Sequence, residues 1–340
     1  MNTPGIDWPK LVAWMGANAP AAGRPVDVSL LSGGRSNLTY LIRTDAEPVV
    51  LRRPPLGHVL PTAHDMSREW RVISALAPTP VPVPEPVAFC GDEDVIGAPF
   101  YLMGHVDGAA IRDRAALEPF GAEHTRRLAE RLAEILAAIH AIDYRAVGLG
   151  DFGRPEGYMA RQLRRWNQQW ERSATRELPE YDRLVARLTE RLPAHASATL
   201  LHGDFRLDNT LVGVAPDGSP EVRAVVDWEM STLGDPLADL GLTLTYWQDR
   251  ARSVPVSGDA TLAPGFLDAR EFAAHYAKAA GADLAELDFY LAFGCFKLAV
   301  IIEGIHARYI QGKTVGEGFE HVGEGVPVLV ARAHRILDGS

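Results

Sequence analysis

Four polar residues within Leu200–Leu240 have the types and spacing that phosphoryl transfer requires: His202, Asp204 and Asn209 in LLHGDFRLDNTLVG, and Asp227 in VRAVVDWEMSTLGDPLADL. A transferring phosphoryl group brings several negative charges to a hydroxyl, so Mg²⁺ must be held by a carboxylate with an amide or second carboxylate. A further carboxylate, not tied to metal, must orient the hydroxyl and accept its proton. Asp204 suits the base, and Asn209 and Asp227 suit the metal. Arg206, two residues beyond Asp204, can reach the transferring phosphate and balance charge in the transition state. His202 fits a bracing role through hydrogen bonds. Asp and Asn are also common in plain β-turns. His202 at a fixed offset and an apolar lead-in to each acid favour the catalytic reading.

The apolar runs at 199–201 and 222–226 deliver these groups at their ends, with Thr210–Val214 a short strand and Pro216-Asp217-Gly218 a turn between them. A hairpin-like unit of this kind brings both acidic tips to one side. HGDFRLDN followed by VVDWE resembles the catalytic and metal-binding segments of the aminoglycoside phosphotransferase-like (protein-kinase-like) family. It is similar in particular to the kinase-like domains that occur alone in bacteria or joined to acyl-CoA dehydrogenases. The resemblance runs from about residue 25 to 310. It implies an α+β, bilobal fold, with a small antiparallel-sheet lobe over residues 1–106 and a larger, mainly helical lobe over 107–340. It also implies ATP (or GTP) with Mg²⁺, and a small hydroxylated acceptor.

Composition agrees with a soluble globular chain of one or two lobes: 340 residues, 47% hydrophobic and 23% charged. A net charge of −10 without a Lys/Arg block argues against nucleic acid as partner. Cys90 and Cys295 lie in apolar surroundings far apart, as expected of buried thiols in a reducing compartment. The first residues lack the pattern of a signal peptide. The most apolar stretch, residues 287–302, is broken by Gly294 and Lys297 and reads as a buried helix rather than a membrane span. The expected location is therefore cytoplasmic, with no membrane partner. Monomer and homodimer both remain open.

Along the chain, Asp7–Asn18 reads as a short amphipathic helix. Val26–Leu31, Leu38–Arg43 and Pro48–Arg53 form a meander. The first turn holds Ser32, Gly33 and Gly34, whose backbone N–H groups could approach phosphates closely, although an ordinary hairpin loop reads the same way. The third strand corresponds to the kinase strand whose Lys pairs phosphates and a helix Glu. Here Arg52 stands in that place, with Arg53 on the opposite face as its rival. The resemblance assigns Glu69, in the helix Ser67–Leu76, as partner. Met103 to Gly108 marks the lobe boundary, where the family reads the adenine through backbone groups, so Met103 and His105 belong to the nucleotide site.

Ala122–Tyr144 and Tyr158–Arg172 read as helices, the second with Arg161, Arg164 and Arg165 beside Trp166. These arginines form either a solvated face or an anion-binding wall. Asp235 caps a further helix with Pro236 at its first position. Residues 250–265 form a long loop that could cover the acceptor, helices follow over Phe266–Ala280 and Leu284–Tyr309, and 311–326 is a Gly-rich connector. A kinase for a hydroxyacyl-CoA or hydroxy acid leads this reading. An antibiotic phosphotransferase, or a nucleotide-binding module without turnover, are the alternatives.

Overall fold

The alternation of side chains in the first strands decides where the sheet places its two arginines. The computed structural model describes residues 3–31, 37–56, 65–194, 197–247, 258–313 and 318–339. Strands β1 (Pro25–Leu30), β2 (Leu38–Thr44) and β3 (Val49–Arg53) are followed by helix α2 (Met66–Leu76), and then by β4 (Pro86–Cys90) and β5 (Phe100–Gly104). They form an antiparallel sheet in the order β1-β2-β3-β5-β4. The outer face buries Val49, Leu51, Phe100 and Leu102 beneath α1 (Trp8–Asn18), which contributes Leu11 and Met15. The inner face turns Val50, Tyr101 and Met103 towards α2 and the rest of the chain. Arg52, opposite Tyr101 in the register, shares that inner face. Arg53 points outward, is buried, and donates to the carbonyls of Gly5, Pro54 and Ile96. It fastens the N-terminal segment and cannot take the role of Arg52.

The larger lobe holds α3 (Gly121–His140), α4 (Tyr158–Ser173) and α5 (Pro179–Glu190), then strands β6 (Thr199–Leu201), β7 (Thr210–Val214), β8 (Pro220–Val225) and β9 (Thr232–Gly234). Helices α6 (Pro236–Thr245), α7 (Ala269–Ala280), α8 (Leu287–Ile310) and α9 (Gly325–Leu337) complete it. This is the α+β, bilobal arrangement expected. Strands β7 and β8 make the hairpin, with Gly218 closing its turn. The 199–201 run instead pairs with β9, a strand the sequence reading leaves unassigned.

Local capping explains most boundary differences. α3 stops at His140 because the Asp143 carboxylate accepts from the N–H groups of Arg145 and Ala146, a turn that competes with helix. α7 begins only at Ala269, where Asp268 and Glu271 form a capping box. Asp235 caps α6 by accepting from Leu237 N–H at 3.0 Å, and it also accepts from the Tyr290 hydroxyl at 2.7 Å. The connector expected over 311–326 already contains a 3₁₀ turn at Val322–Glu324 and the first two residues of α9, and α5 has no counterpart in the sequence reading. α8 is long and apolar enough to cross a membrane by composition, but here it is mostly buried against α4, α6 and α9. Cys90 and Cys295 are buried and unpaired with one another.

Candidate functional site

Strand β6 ends at Leu201 and the chain turns sharply into His202-Gly203-Asp204. His202 is fully buried. Its Nε2 lies 3.0 Å from the carbonyl of Val226, so this nitrogen carries the proton, and its Nδ1 accepts from Asp204 N–H at 3.3 Å. Both ring nitrogens are thus used to tie the loop to the end of β8, and His202 positions the loop rather than touching a reactant. The backbone N–H groups of His202 and Gly203 donate to the two oxygens of Asp239, at 2.7 and 2.9 Å. Burial pushes the Asp239 carboxyl up, but hydrogen bonding and charge from His140, with His202, outweigh it and hold its pKa below the ordinary value.

Gly203 has φ +86°, and a Cβ there would press into the backbone of Met230. Gly203→Ala is expected to destabilise the fold by roughly 2–4 kcal/mol, from left-handed strain plus overpacking. The urea midpoint checks this; an unchanged midpoint would show that the loop can shift away from Met230.

The Asp204 carboxylate accepts from the Tyr246 hydroxyl at 2.8 Å through Oδ1 and from Asn209 Nδ2 at 3.0 Å through Oδ2. Burial, reinforced by the Asp204 charge, raises the Tyr246 pKa well above its ordinary value, so this phenol remains a donor. Arg206 lies over the Tyr246 ring at 4.9 Å, 3.0 Å from Asp208 and 3.5 Å from Asp204. Burial works against its charge, but Asp204, Tyr246 and Asp208 together raise its pKa. Because Asn209 donates through Nδ2 to Asp204, its Oδ1 is the atom left to face a cation.

A cavity of about 310 Å³ lies between the inner face of the sheet and the β7–β8 hairpin. Val50 and Met103 border it from the sheet, and Leu211 and Val226 from the hairpin. His105 stands at the connection between lobes, exposed, and Arg52, Asn209 and Asp227 form the polar end. An apolar slot with one charged end suits a nucleotide base and its phosphates. The structure therefore brings together Arg52, Met103, His105, Asn209 and Asp227, with Glu69 directly behind. Ser32, Gly33 and Gly34 lie outside the described residues, as do 250–257 of the long loop.

Arg52 forms a fork on Glu69, with Nε–Oε2 2.8 Å and Nη2–Oε1 3.0 Å, and also contacts Asp227. Tyr101 also donates to Oε2 of Glu69, at 2.8 Å. Burial opposes charge on both partners. At Arg52 the surrounding Glu69, Asp227 and Glu229 outweigh it and hold the guanidinium above its ordinary pKa. Asp227 sits at φ +68°, the only non-glycine with positive φ among the described residues. The turn after it carries Glu229 back beside it, so that carboxylate oxygens of Glu69, Asp227 and Glu229 lie within 4.8 Å of one another. Three carboxylates grouped beside Arg52 offer the oxygen donor set that a hard divalent cation prefers. Glu229 was legible only as the third letter of DWE and escaped the sequence reading.

A second cavity, about 330 Å³, meets the 202–209 loop at Gly203. Gly203, Met230 and Ser231 form its floor, and Trp166, Arg165 and Lys297 its wall. The three arginines of α4 do not act together. Arg161 bends back to the carbonyls of Arg154 and Glu156, Arg164 is exposed elsewhere, and Arg165 alone borders the cavity. Trp166 and Tyr158 both border this cavity, while Trp228 packs on His202 and Trp247 is buried, donating to the carbonyl of Leu267.

Residues 27–290 match the model of the phosphotransferase enzyme family. Acyl-CoA dehydrogenase family member 10 of Mus musculus is 37% identical over 298 residues, 85% of this chain and 27% of its own length. The chain spans only 27–41% of the curated acyl-CoA dehydrogenase family members 10 and 11 that match over most of it. Among solved structures, a Ralstonia eutropha protein provisionally described as an aminoglycoside phosphotransferase has TM-score 0.85 and 32% identity, covering 98% of both chains. The same fold recurs at TM-score 0.61 and 15% identity, over 96% of both chains, in a thermostable mutant of the aminoglycoside phosphotransferase APH(4)-Ia, solved with ADP and hygromycin B.

Proposed function

The chain belongs to the phosphotransferase enzyme family, and on that premise we propose that it transfers the γ-phosphoryl group of ATP to the hydroxyl of a small hydroxyacyl-CoA or hydroxy acid. One observation carries this reading: the 202–209 loop borders two cavities, with Asn209 at the nucleotide slot, Gly203 at the other, and Asp204 between them in the chain.

Asp204, held by Tyr246 and Asn209, orients the acceptor hydroxyl and receives its proton as the oxygen forms a bond to the γ-phosphorus. The bond from that phosphorus to the bridging oxygen breaks, and ADP leaves with the electron pair. Arg206 lies close enough to Asp204 to offset charge during transfer. Arg52, steadied by Glu69, anchors the phosphates. Asn209 and Asp227, with Glu229 beside them, would hold Mg²⁺, which supplies charge neutralisation on the phosphates. Met103 and His105 border the base, and the Ser32–Gly34 turn is assigned to the phosphates from sequence alone. Residues 1–106 serve as the nucleotide lobe and 107–340 as the catalytic lobe of a cytoplasmic enzyme.

The acceptor class rests on the likeness to acyl-CoA dehydrogenase family members, and an aminoglycoside is the competing class because of the structural neighbours. An ATP-consumption screen of hydroxyacyl-CoAs, hydroxy acids, amino alcohols and aminoglycosides separates them. Turnover is expected with the first two groups; turnover of an aminoglycoside alone would overturn the assignment.

A further inference from the structure

The polar groups around the second cavity divide into those already engaged and those left facing it. The Asp65 carboxylate caps α2, accepting from the N–H of Ser67 at 2.9 Å and from its hydroxyl at 2.6 Å. Glu229 accepts from Asn37 at 3.0 Å and belongs to the carboxylate group beside Arg52. Arg68 donates to the carbonyls of Phe152 and Ser231 and lies 4.0 Å over the Phe152 ring.

Of the cationic groups, Lys297 and Arg165 remain. Lys297 is nine-tenths buried in the middle of α8, where it is the one charged residue between Phe289 and Ile302. Its Nζ donates to the carbonyl of Gly203 at 3.1 Å and lies 5.4 Å from the centre of the Trp166 ring. An ammonium has three donors, and no carboxylate pairs with this one among the described residues. Arg165 is exposed at the cavity wall and likewise has no ion pair there. Burying an unpaired ammonium is costly, and packing alone would have been served better by Met or Leu.

We propose that this cavity is the acceptor site, and that Lys297, with Arg165 behind it, binds a carboxylate or thioester carbonyl oxygen of the acceptor while the acceptor's hydroxyl rests on Asp204. The proposal deepens the function given above and rests on it. Lys297 Nζ donates to the carbonyl of Gly203, the residue before Asp204, so a short acceptor suits the two contacts. A polycationic sugar would bring ammonium groups against Lys297 and Arg165, so this pair selects against it at that wall of the cavity. Burial lowers the Lys297 pKa, opposed by the charges of Asp204 and Asp239 and reinforced by that of Arg165.

The test uses short hydroxy acids that differ in the hydroxyl's distance from the carboxyl, their CoA thioesters, and diols that lack the carboxyl. Acceptor KM is measured for the wild type, Lys297→Met, Lys297→Arg and the exposed Arg165→Gln. Loss of a charge-assisted hydrogen bond should raise the hydroxy-acid KM about tenfold or more in Lys297→Met. The preference for acid over diol should collapse towards unity, and Lys297→Arg should restore part of it. A role confined to bracing Gly203 would lower kcat for acid and diol alike and leave their ratio unchanged, which overturns the proposal. Arg165→Gln, which disturbs no described contact, should raise KM for acids more than for diols even if Lys297→Met folds poorly. A larger Lys297→Met effect on free acids than on thioesters identifies the carboxylate as the bound group, and the reverse identifies the thioester. Turnover of these acceptors with variant KM values unchanged overturns the site but leaves the function standing. Turnover of none of them overturns both.

Discussion

Asp204→Asn is expected to lower kcat by about 10²–10⁴-fold, the range that a positioned base contributes, while the affinity for MgATP stays within a few-fold. The substitution is nearly isosteric. Its Oδ1 can still accept from Tyr246, and the backbone carbonyl of residue 204 still accepts from Asn209 at 2.8 Å. What disappears is the carboxylate that orients the hydroxyl and takes its proton. Asp227→Ala should behave differently, losing the Mg²⁺-dependent part of nucleotide binding along with turnover. Calorimetric titration of ATP with and without Mg²⁺, beside single-turnover rates, distinguishes the two. If Asp204→Asn weakened nucleotide binding as strongly as Asp227→Ala, the division between base and metal ligand would fail.

The residues that assemble this site differ in how far the sequence reveals them. Asp204, Asn209 and Asp227 are legible because local spacing puts them at the ends of apolar runs, and Asp235 because a cap followed by Pro has a local mechanism. The groups that set their chemistry come from far along the chain. Asp239 reaches the loop across 37 positions, Tyr246 reaches Asp204 across 42, and Lys297 reaches Gly203 across 94. Periodicity can say that Lys297 interrupts an apolar helix, but not which cavity lies opposite. The same gap explains α4: spacing places three arginines on neighbouring turns, yet the carbonyls of the loop before the helix claim Arg161. Glu229 needed the left-handed turn at Asp227 to bring it back, and an Asp followed by Trp does not announce that turn.

Arg52→Ala should weaken ATP binding about ten- to a hundred-fold, the worth of one or two charge-assisted hydrogen bonds to phosphate, and AMP binding far less. AMP lacks the phosphates that Arg52 reaches, so equal losses for both nucleotides would remove Arg52 from that role. Arg53 offers no substitute, since it faces the opposite side of β3 and is committed to backbone carbonyls. The free protein should suffer as well. Removing one partner of a buried pair costs on the order of 3–5 kcal/mol, and here Glu69, Asp227 and Glu229 would be left facing one another. The pH dependence has a definite sign. Burial already raises the Glu69 pKa, opposed mainly by Arg52. Without Arg52 that pKa rises further in the folded state, so the folded variant holds its proton more tightly than the unfolded chain does. Its stability deficit relative to wild type is therefore largest near neutral pH and narrows as the pH falls and Glu69 becomes neutral. Mg²⁺ should raise the variant's Tm more than that of wild type, because a divalent cation can replace the missing positive charge among the three carboxylates. Thermal unfolding in EDTA and in Mg²⁺, at neutral and mildly acidic pH, measures both effects. A deficit that is the same at every pH and indifferent to Mg²⁺ would mean that Arg52 contributes packing alone.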